Sequence, residues 1–408
     1  MSAHTGTAPA AEREATRSRG WLMLALATAG FALCFWAWAL LSPLGPYFKT
    51  TLHLSSLSQA LLVAVPVVVG SLGRIPVGAL TDRYGGRVMF PAVSFATIAP
   101  VLFIGFVGYR SLAMLLAAGF CLGIAGTAFA VGVPFVSAWF PPQRRGLAVG
   151  VFGMGTGGTA ISALTTVKLV SAYGIRGPFT LVAVALAGYG IAAALLLRDA
   201  PGRAVPTEPV LRRIGRASRL SITWQASALY AIGFGGFVAF SVYLPTYLKN
   251  AYALTQSDAA NKMGGFVLVA VLLRPVGGYL ADRIPAAWVL AAAFAVVAVA
   301  ALGQAATPSL APAGTVTFLT MAAALGAAAG AVFALVAQRA PRPQVGAVTG
   351  VVGAAGGLGG FIPPLIMGSI YGSLHSYALG LIALSVVAAA AAAYAAVGLR
   401  APHSAVGP

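Results

Sequence analysis

The sequence repeats its own pattern once, with equivalent positions separated by 200 residues. Arg74 and Arg274 each lie inside a long apolar stretch, and each is followed eight residues later by an Asp-Arg pair. The same offset, without a gap, relates further pairs of identical residues: Lys49 and Lys249, Gly126 and Gly326, Pro141 and Pro341, Gly146 and Gly346, Gly150 and Gly350, Gly153 and Gly353, and Gly157 and Gly357. The chain is therefore a tandem duplication, and each half contains one arginine where arginine is costly.

The composition identifies the solvent in which the chain folds. Hydrophobic residues make up 59% of the chain and charged residues 8%, and the mean hydropathy is +0.91, so too little polar surface exists to cover a water-soluble globule. Apolar segments long enough to cross a hydrocarbon core of ~30 Å occur about twelve times. They lie near 21–48, 57–80, 88–108, 111–138, 146–168, 177–197, 223–248, 262–281, 286–305, 313–337, 345–370 and 376–398. We predict an all-α, multi-pass protein of the cell (inner) membrane.

The two arginines are predicted to lie at membrane depth. If Asp82 and Asp282 mark helix ends, eight residues at ~1.5 Å each place Arg74 and Arg274 roughly 12 Å inside the membrane. A bilayer-central arginine costs at least ~2.5–3.5 kcal/mol, so it normally faces the protein interior and has a function. A buried carboxylate partner is the structural alternative. All seven acidic residues, however, fall in predicted tails, loops or helix ends: Glu12, Glu14, Asp82, Asp199, Glu208, Asp258 and Asp282.

The charge distribution predicts the topology. Most basic residues outside the apolar segments fall on the side of both termini, whereas the other side receives Lys49, Arg110, Lys168, Arg176, Lys249 and Lys262. By the positive-inside rule both termini are cytoplasmic. The net charge of +18 is therefore an orientation signal, with the lipid bilayer as its partner, and does not indicate nucleic acid.

One sizeable polar stretch divides the chain. The predicted organisation is a cytoplasmic tail (1–20), an N-terminal six-helix bundle (21–197), a cytoplasmic linker (198–222), a C-terminal six-helix bundle (223–398) and a second tail (399–408). Because six is even, the two bundles have the same orientation and are parallel repeats. In such proteins the substrate site lies between the halves near the midplane, where the arginines are predicted.

Enzyme chemistry is not indicated. The sequence has no cysteine and histidine spacing for a metal and no phosphate-cradling loop with a lysine, and its histidines fall in tails or predicted loops. We therefore predict no catalytic residue, no metal, no cofactor and no obligate protein partner. Transport should be secondary, by alternating access.

Two loops resemble the loop motif of the major facilitator superfamily. The first is Gly78-Ala-Leu-Thr-Asp82-Arg83-Tyr-Gly-Gly-Arg87, and the second is Gly278-Tyr-Leu-Ala-Asp282-Arg283. Glycines permit close helix approach, and the aspartate can accept from a helix N-terminus and pair with an arginine. The resemblance implies the twelve-helix fold of two bundles, with these residues acting in the conformational change.

Within that superfamily, several segments are similar to the nitrate/nitrite porter family. They are Gly126 to Pro134, Trp139 to Pro142, the run Gly150-Val-Phe-Gly-Met-Gly-Thr-Gly-Gly158, the run Gly350-Val-Val-Gly-Ala-Ala-Gly-Gly-Leu-Gly-Gly-Phe361, Tyr230 to Phe237, and Phe35-Trp-Ala-Trp38. One departure stands at Thr156, where the family commonly has asparagine. Threonine also donates a hydrogen bond, but with a different geometry.

The resemblance implies a substrate site that holds a small inorganic anion, nitrate or nitrite. A guanidinium offers planar, forked donors to an oxyanion, and the implied site comprises Arg74, Arg274, Phe35, Phe129, Tyr230, Gly155, Thr156, Gly157, Gly356 and Gly357. Close helix packing is the alternative reading of the glycines.

The predicted function is secondary transport of nitrate and/or nitrite, in nitrate assimilation. Proton-driven porters usually keep a carboxylate or histidine at membrane depth, and this sequence places none there, so we predict an antiporter that exchanges nitrate for nitrite. Proton-coupled symport, a porter for another small anion such as a carboxylate, and a membrane sensor that no longer transports remain as alternatives.

Overall fold

The computed structural model describes residues 10–141, 145–201, 208–341 and 344–399. Within these ranges the regular elements are helices, and 12 spans are long and apolar enough to cross a membrane. The protein is therefore an all-α, multi-pass membrane protein, as predicted. The predicted tails and linker fall partly outside the described residues, at 1–9, 202–207 and 400–408.

In the N-terminal half, most spans consist of two helices. Spans 1 to 6 are formed by α1 (Ala10–Trp38) and α2 (Leu41–Thr51), α3 (Ser56–Leu72) and α4 (Arg74–Tyr84), α5 (Gly86–Phe106), α6 (Leu112–Leu122) and α7 (Ala128–Trp139), α8 (Arg145–Gly153) and α9 (Gly158–Tyr173), and α10 (Arg176–Leu196). Short 3₁₀ turns, Gly123–Thr127 and Met154–Gly157, join the two helices of spans 4 and 5.

In the C-terminal half, most spans are single helices. The linker contains α11 (Val210–Ala217), and spans 7 to 12 are formed by α12 (Ser221–Tyr252), α13 (Gln256–Arg283), α14 (Ala286–Ala305), α15 (Thr315–Arg339), α16 (Val345–Leu358) with α17 (Ile362–Leu374), and α18 (Ala378–Val397). Only span 11 of this half, among the described residues, is divided into two α-helices.

The duplication is visible in the backbone as well as in the sequence. His53 and Ala253, equivalent by the offset, both have a φ of 51°. Two residues later Ser55 and Thr255 cap α3 and α13, and each side chain accepts a hydrogen bond from a backbone N–H three residues ahead. An N-cap of this kind satisfies a donor that the helix itself leaves unpaired. The same local chemistry therefore begins the arginine-bearing span in each half.

Candidate functional site

Arg74 is placed by a close crossing of two spans. A Cβ at Gly126 would lie 2.9 Å from the Cα of Gly70, so the two backbones meet where side chains are absent. Arg74 lies one helical turn beyond Gly70 and begins α4. Its Nε donates to the Gly126 carbonyl at 3.4 Å, and its Nη1 donates to the Gly353 carbonyl of the other half. The side chain is only 5% exposed.

Arg274 is placed by the equivalent crossing of α13 and α15. A Cβ at Gly330 would lie 2.1 Å from the Arg274 carbonyl oxygen, and a Cβ at Gly326 would lie 2.0 Å from that of Ala270. Arg274 Nη1 donates to the Gly153 carbonyl at 3.0 Å and to Thr156 Oγ1 at 3.0 Å. Arg274 is 6% exposed.

The two arginines reach across the molecule in a reciprocal way. Arg74 of the N-terminal half binds the carbonyl of Gly353, and Arg274 of the C-terminal half binds that of Gly153. Gly153 and Gly353 are themselves equivalent positions of the repeat. The approximate twofold relation of the halves therefore passes through the centre of the site, and each arginine ties one half to the other.

Each guanidinium keeps unused donors. A guanidinium has five N–H groups, and the hydrogen bonds above use two of the five in each arginine, so further N–H groups remain for a ligand. The ion pairs of the described residues are Arg213 with Asp82 and Arg216 with Glu208, so neither site arginine is paired with a carboxylate there. The two desolvated cations also repel each other. The site therefore favours a ligand that is anionic and accepts several hydrogen bonds.

One aromatic ring contacts both cations. The Cζ atoms of Arg74 and Arg274 lie 5.5 and 4.8 Å from the ring centroid of Phe234, so they are no more than about 10.3 Å apart. Phe129 lies 5.0 Å from Arg74 Cζ, and Phe237 lies 5.4 Å from Arg274 Cζ. Such cation–π contacts orient the guanidinium planes without neutralising their charge.

Phe35 belongs to the same region but does not touch an arginine face. It lines, with Arg74 and Ser71, a small cavity whose wall also includes Trp38 and Gly357. Its ring stacks at an angle on Trp38, 5.2 Å between centroids.

Tyr230 is buried against the aromatic wall. Its ring stacks on Phe234 at 5.0 Å and meets Phe333 edge to face at 4.8 Å. The hydroxyl lies near Arg274 but makes no hydrogen bond of normal geometry to the described residues. A Cβ at Gly356 would lie 2.1 Å from the Tyr230 ring, so this glycine makes room for the tyrosine.

The hydroxyl of Thr156 is already engaged. It accepts from Arg274 and donates to the Gly153 carbonyl at 2.9 Å. Thr156 therefore links Arg274 to the 3₁₀ turn of span 5, and its hydroxyl hydrogen is donated to the protein backbone.

The predicted glycines have different neighbours. A Cβ would meet Phe31 at 2.6 Å for Gly155, Val271 at 3.8 Å for Gly157 and Ser71 Oγ at 2.1 Å for Gly357. Gly357 therefore borders the cavity beside Arg74, whereas Gly155 gives close packing against span 1.

Several residues of the site were not among the predicted ones. Gly153, Gly353 and Gly126 supply backbone acceptors, and Phe234 supplies the shared ring. All three glycines belong to pairs of identical residues 200 positions apart, so this repeat could have indicated them as site residues. Phe234 has cysteine at its equivalent position, and no sequence pattern distinguished it from a packing residue.

The loop-motif residues lie at the face that carries the chain termini. Asp82 Oδ2 accepts from Arg213 of the linker helix at 2.6 Å, and the backbone N–H of Arg87 donates to Asp199 at 3.3 Å. Arg83 and Arg283 stack on neighbouring tyrosines at 5.4 and 4.4 Å. A Cβ would meet its nearest neighbour at 3.8 Å for Gly78 and 3.9 Å for Gly278. Asp282 lies in the last turn of α13 and is in no ion pair within the described ranges.

The fold agrees with solved transporters. A model of the Major Facilitator Superfamily matches residues 27–364 and 227–407. A bacterial homolog of the human lysosomal transporter Spinster, in an inward-facing and occupied conformation, superposes with a TM-score of 0.73 at 18% identity, covering 94% of this chain and 97% of that chain. The human organic anion transporter MFSD10 superposes with a TM-score of 0.71 at 17% identity, covering 93% and 99%. The fold is that of major facilitator transporters.

Curated relatives narrow the assignment. The chain is 48% identical over 383 residues to the probable nitrate/nitrite transporter NarK2 of Mycobacterium tuberculosis (strain ATCC 25618 / H37Rv), covering 93% of this chain and 97% of that protein. It is 35% identical over 375 residues to the nitrite extrusion protein of Bacillus subtilis (strain 168), covering 91% and 93%. The chain therefore belongs to the Major Facilitator Superfamily, and within it to the nitrate/nitrite porter family.

Proposed function

We propose that this protein transports nitrate and/or nitrite across the cell membrane by alternating access, with Arg74 and Arg274 binding the anion between the two halves. The relatives that carry nitrate or nitrite in their names, at up to 48% identity among those compared, support this substrate class. The observation that carries the proposal is the pair of desolvated arginines with unused N–H groups and no carboxylate partner among the described residues.

The geometry suits a planar, weakly hydrated anion. Each guanidinium can present two parallel N–H groups to two oxygens of one oxyanion. A buried charge without a counter-charge is strongly destabilising. An anion between the arginines supplies that counter-charge and reduces the repulsion between the two guanidinium groups. The aromatic rings exclude water and thereby strengthen the remaining electrostatic interactions.

The reciprocal hydrogen bonds supply a physical link to alternating access. Arg74 binds Gly353 and Arg274 binds Gly153, so a rocking motion of one half against the other must break both contacts at once. Breaking them without an anion leaves two cations with fewer partners. We infer that the halves move readily only when an anion occupies the site.

This inference favours exchange of nitrate for nitrite. The acidic residues that the structure describes lie in loops or near helix ends, so a carboxylate proton carrier at the depth of the arginines is not found among them. Proteoliposomes loaded with nitrite should take up nitrate faster than empty ones, with little effect of a pH gradient. Rapid accumulation in empty vesicles driven by a pH gradient would replace exchange with proton symport.

The substrate proposal is tested with Arg74→Lys and Arg274→Lys. Lysine keeps the charge but lacks the planar fork, and we expect nitrate uptake to fall by roughly a hundredfold, as for loss of ~3 kcal/mol at a buried charged hydrogen bond. Arg176→Lys, in which the arginine lies over Phe106 away from the site, is the matched control. Uptake of nitrate, nitrite, formate and chloride by the wild-type protein defines the substrate. Normal nitrate uptake by a lysine variant would show that the replaced arginine does not bind the anion.

A further inference from the structure

A second pair of equivalent cations lies on the face opposite the chain termini, here called the distal face. Hydrogen bonds between the halves close this face. Ser42 Oγ donates to the Val242 carbonyl at 2.8 Å, Gln59 Nε2 donates to Thr246 Oγ1 at 2.8 Å, and Gln256 Nε2 donates to the Pro43 carbonyl at 2.8 Å. We call these contacts the distal seam. The first joins two equivalent positions of the repeat, so the approximate twofold relation passes through the seam as well.

Lys49 and Lys249 lie beside this seam. Each is seven residues beyond Ser42 or Val242 on a continuous helix, α2 or α12, and seven residues are about two helical turns. The two lysines therefore continue the facing sides of the helices that meet at the seam. Both side chains are half-buried there, and like charges on facing helices repel each other.

Lys49 has neutral partners, and neither lysine has a counter-charge in the part of the chain that the structure describes. Lys49 Nζ donates to Ser56 Oγ at 3.2 Å and lies 6.0 Å from the Tyr371 ring centroid. Neither lysine forms an ion pair within the described ranges. The carboxylate of Asp258, at the start of α13, instead accepts from Thr255 Oγ1 at 2.6 Å. Two half-buried cations brought together without a carboxylate form a positive mouth to the pathway.

This mouth is separate from the arginine site. Lys249 is fifteen residues beyond Phe234 on the continuous α12, which corresponds to about 22 Å along the helix. We propose that Lys49 and Lys249 form a second, weaker site for small oxyanions at the distal seam, which receives the anion before or after it occupies the arginine site. The proposal rests on the anion transport proposed above. Because the two lysines come from different halves, opening the seam separates them, so an anion is held best in the closed state.

The test compares Lys49→Gln, Lys249→Gln and the double variant with Lys262→Gln. Lys262 is an exposed lysine of α13, and its replacement removes the same charge outside the seam. Nitrate uptake is measured in right-side-out and inside-out membrane vesicles over a range of nitrate concentration and ionic strength. We expect the double variant to raise the KM for nitrate by about threefold or more at one face only, with kcat little changed, since a positive mouth acts on the encounter rate. Its KM should also lose most of its dependence on salt.

Replacement of both lysines by arginine serves as the charge-retaining control. It should keep a KM close to that of the wild-type protein, because the mouth needs positive charge rather than a particular donor geometry. Equal KM values in the double glutamine variant and the Lys262→Gln control, while the wild-type protein takes up nitrate, would overturn the second site and leave the arginine site intact. Absence of nitrate uptake by the wild-type protein would instead overturn the proposed function and the second site with it.

Discussion

The two halves of the molecule follow one repeated sequence pattern, yet their backbones cross the membrane differently. Spans 1, 2 and 4 of the N-terminal half are each interrupted, whereas the equivalent spans 7, 8 and 10 are formed by unbroken α-helices; spans 5 and 11 are both divided. The break before Arg74 falls at Gly73, and the equivalent residue before Arg274 is Leu273 inside α13. Leucine favours a continuous helix, whereas glycine in a helix interior lowers helix stability by about 1 kcal/mol relative to alanine.

The irregular backbone of the N-terminal half provides hydrogen-bond acceptors to the site. Gly126, which accepts from Arg74, lies within the 3₁₀ turn Gly123–Thr127, and Gly153, which accepts from Arg274, directly precedes the 3₁₀ turn Met154–Gly157. Backbone that leaves the α-helix is tolerated at membrane depth only where it is buried in protein or lines a cavity. The C-terminal half contributes the Gly353 carbonyl from within the regular helix α16, and Phe234, whose ring both arginines share. Duplication thus preserved the two cations, while their surroundings diverged.

The sharpest test of this difference is Gly330→Ala. The equivalent residue in the N-terminal half is Ala130, which shows that alanine fits there. In the C-terminal half the added Cβ would lie 2.1 Å from the Arg274 carbonyl oxygen, so two unbroken helices must separate. We expect the free energy of unfolding to fall by about 1–3 kcal/mol or more, with transport lost because Arg274 moves. Apparent Tm and nitrate uptake of the purified protein measure both effects.

Gly265→Ala is the control for that substitution. Gly265 lies on the same helix as Arg274, and an added Cβ would have no neighbour within 4 Å. This variant should keep its Tm and its uptake. If Gly330→Ala also keeps its Tm and its uptake, the helix crossing at Gly330 accepts alanine as readily as the equivalent crossing at Ala130. The proposed contrast between the halves would then be wrong.

The fold could be predicted from the sequence because its strongest constraint is the burial of apolar segments in lipid. The length and composition of each segment indicate this burial directly. The spacing of Arg74 and Arg274 to Asp82 and Asp282 predicted that both arginines lie within a span, and both are buried there. The interruptions of the N-terminal spans did not follow, because glycines serve both close packing and helix breaks, and the sequence does not separate the two roles. The contact of Phe234 with both arginines depends on how helices from different halves meet, which no periodicity within one helix encodes.

Phe234→Leu is expected to have the next largest effect. Desolvated cation–π contacts contribute about 2 kcal/mol each, and this ring contacts two arginines. The KM for nitrate should therefore rise roughly thirtyfold or more, as for loss of at least one such contact, because the guanidinium planes lose their common support. Phe237→Leu is the matched variant, since Phe237 is equally buried but contacts Arg274 alone. Equal changes in KM for both variants would mean that the shared ring has no special role.

Thr156→Val should have a smaller effect. Valine has a similar shape but can neither accept from Arg274 nor donate to Gly153, which are the two hydrogen bonds of the hydroxyl. Loss of a buried hydrogen-bond partner costs about 1–3 kcal/mol, so we expect a several-fold increase in KM. Thr156→Asn should preserve transport, and a shifted preference between nitrate and nitrite would be its signature.

Thr159→Val is the control, because Thr159 donates to a backbone carbonyl of the same span and does not contact an arginine. Unchanged kinetics in Thr156→Val would leave the arginines as the site without this hydroxyl.

The smallest expected effect concerns the two loop motifs, which also differ between the halves. Asp82 pairs with Arg213 of the linker helix at 2.6 Å, with 29% and 24% of the two side chains exposed, whereas Asp282 forms no ion pair in the described ranges. A partly exposed pair contributes about 0–1 kcal/mol, so Asp82→Asn should slow transport by no more than a few-fold, and Asp282→Asn should slow it less. Arg213→Gln removes the same ion pair, so the loss in the double variant should be smaller than the combined losses of the two single variants. Initial rates of nitrate uptake in proteoliposomes measure all four variants. Additive losses would show that Asp82 and Arg213 act on the conformational change independently, and the linker would then have no part in the difference between the two motifs.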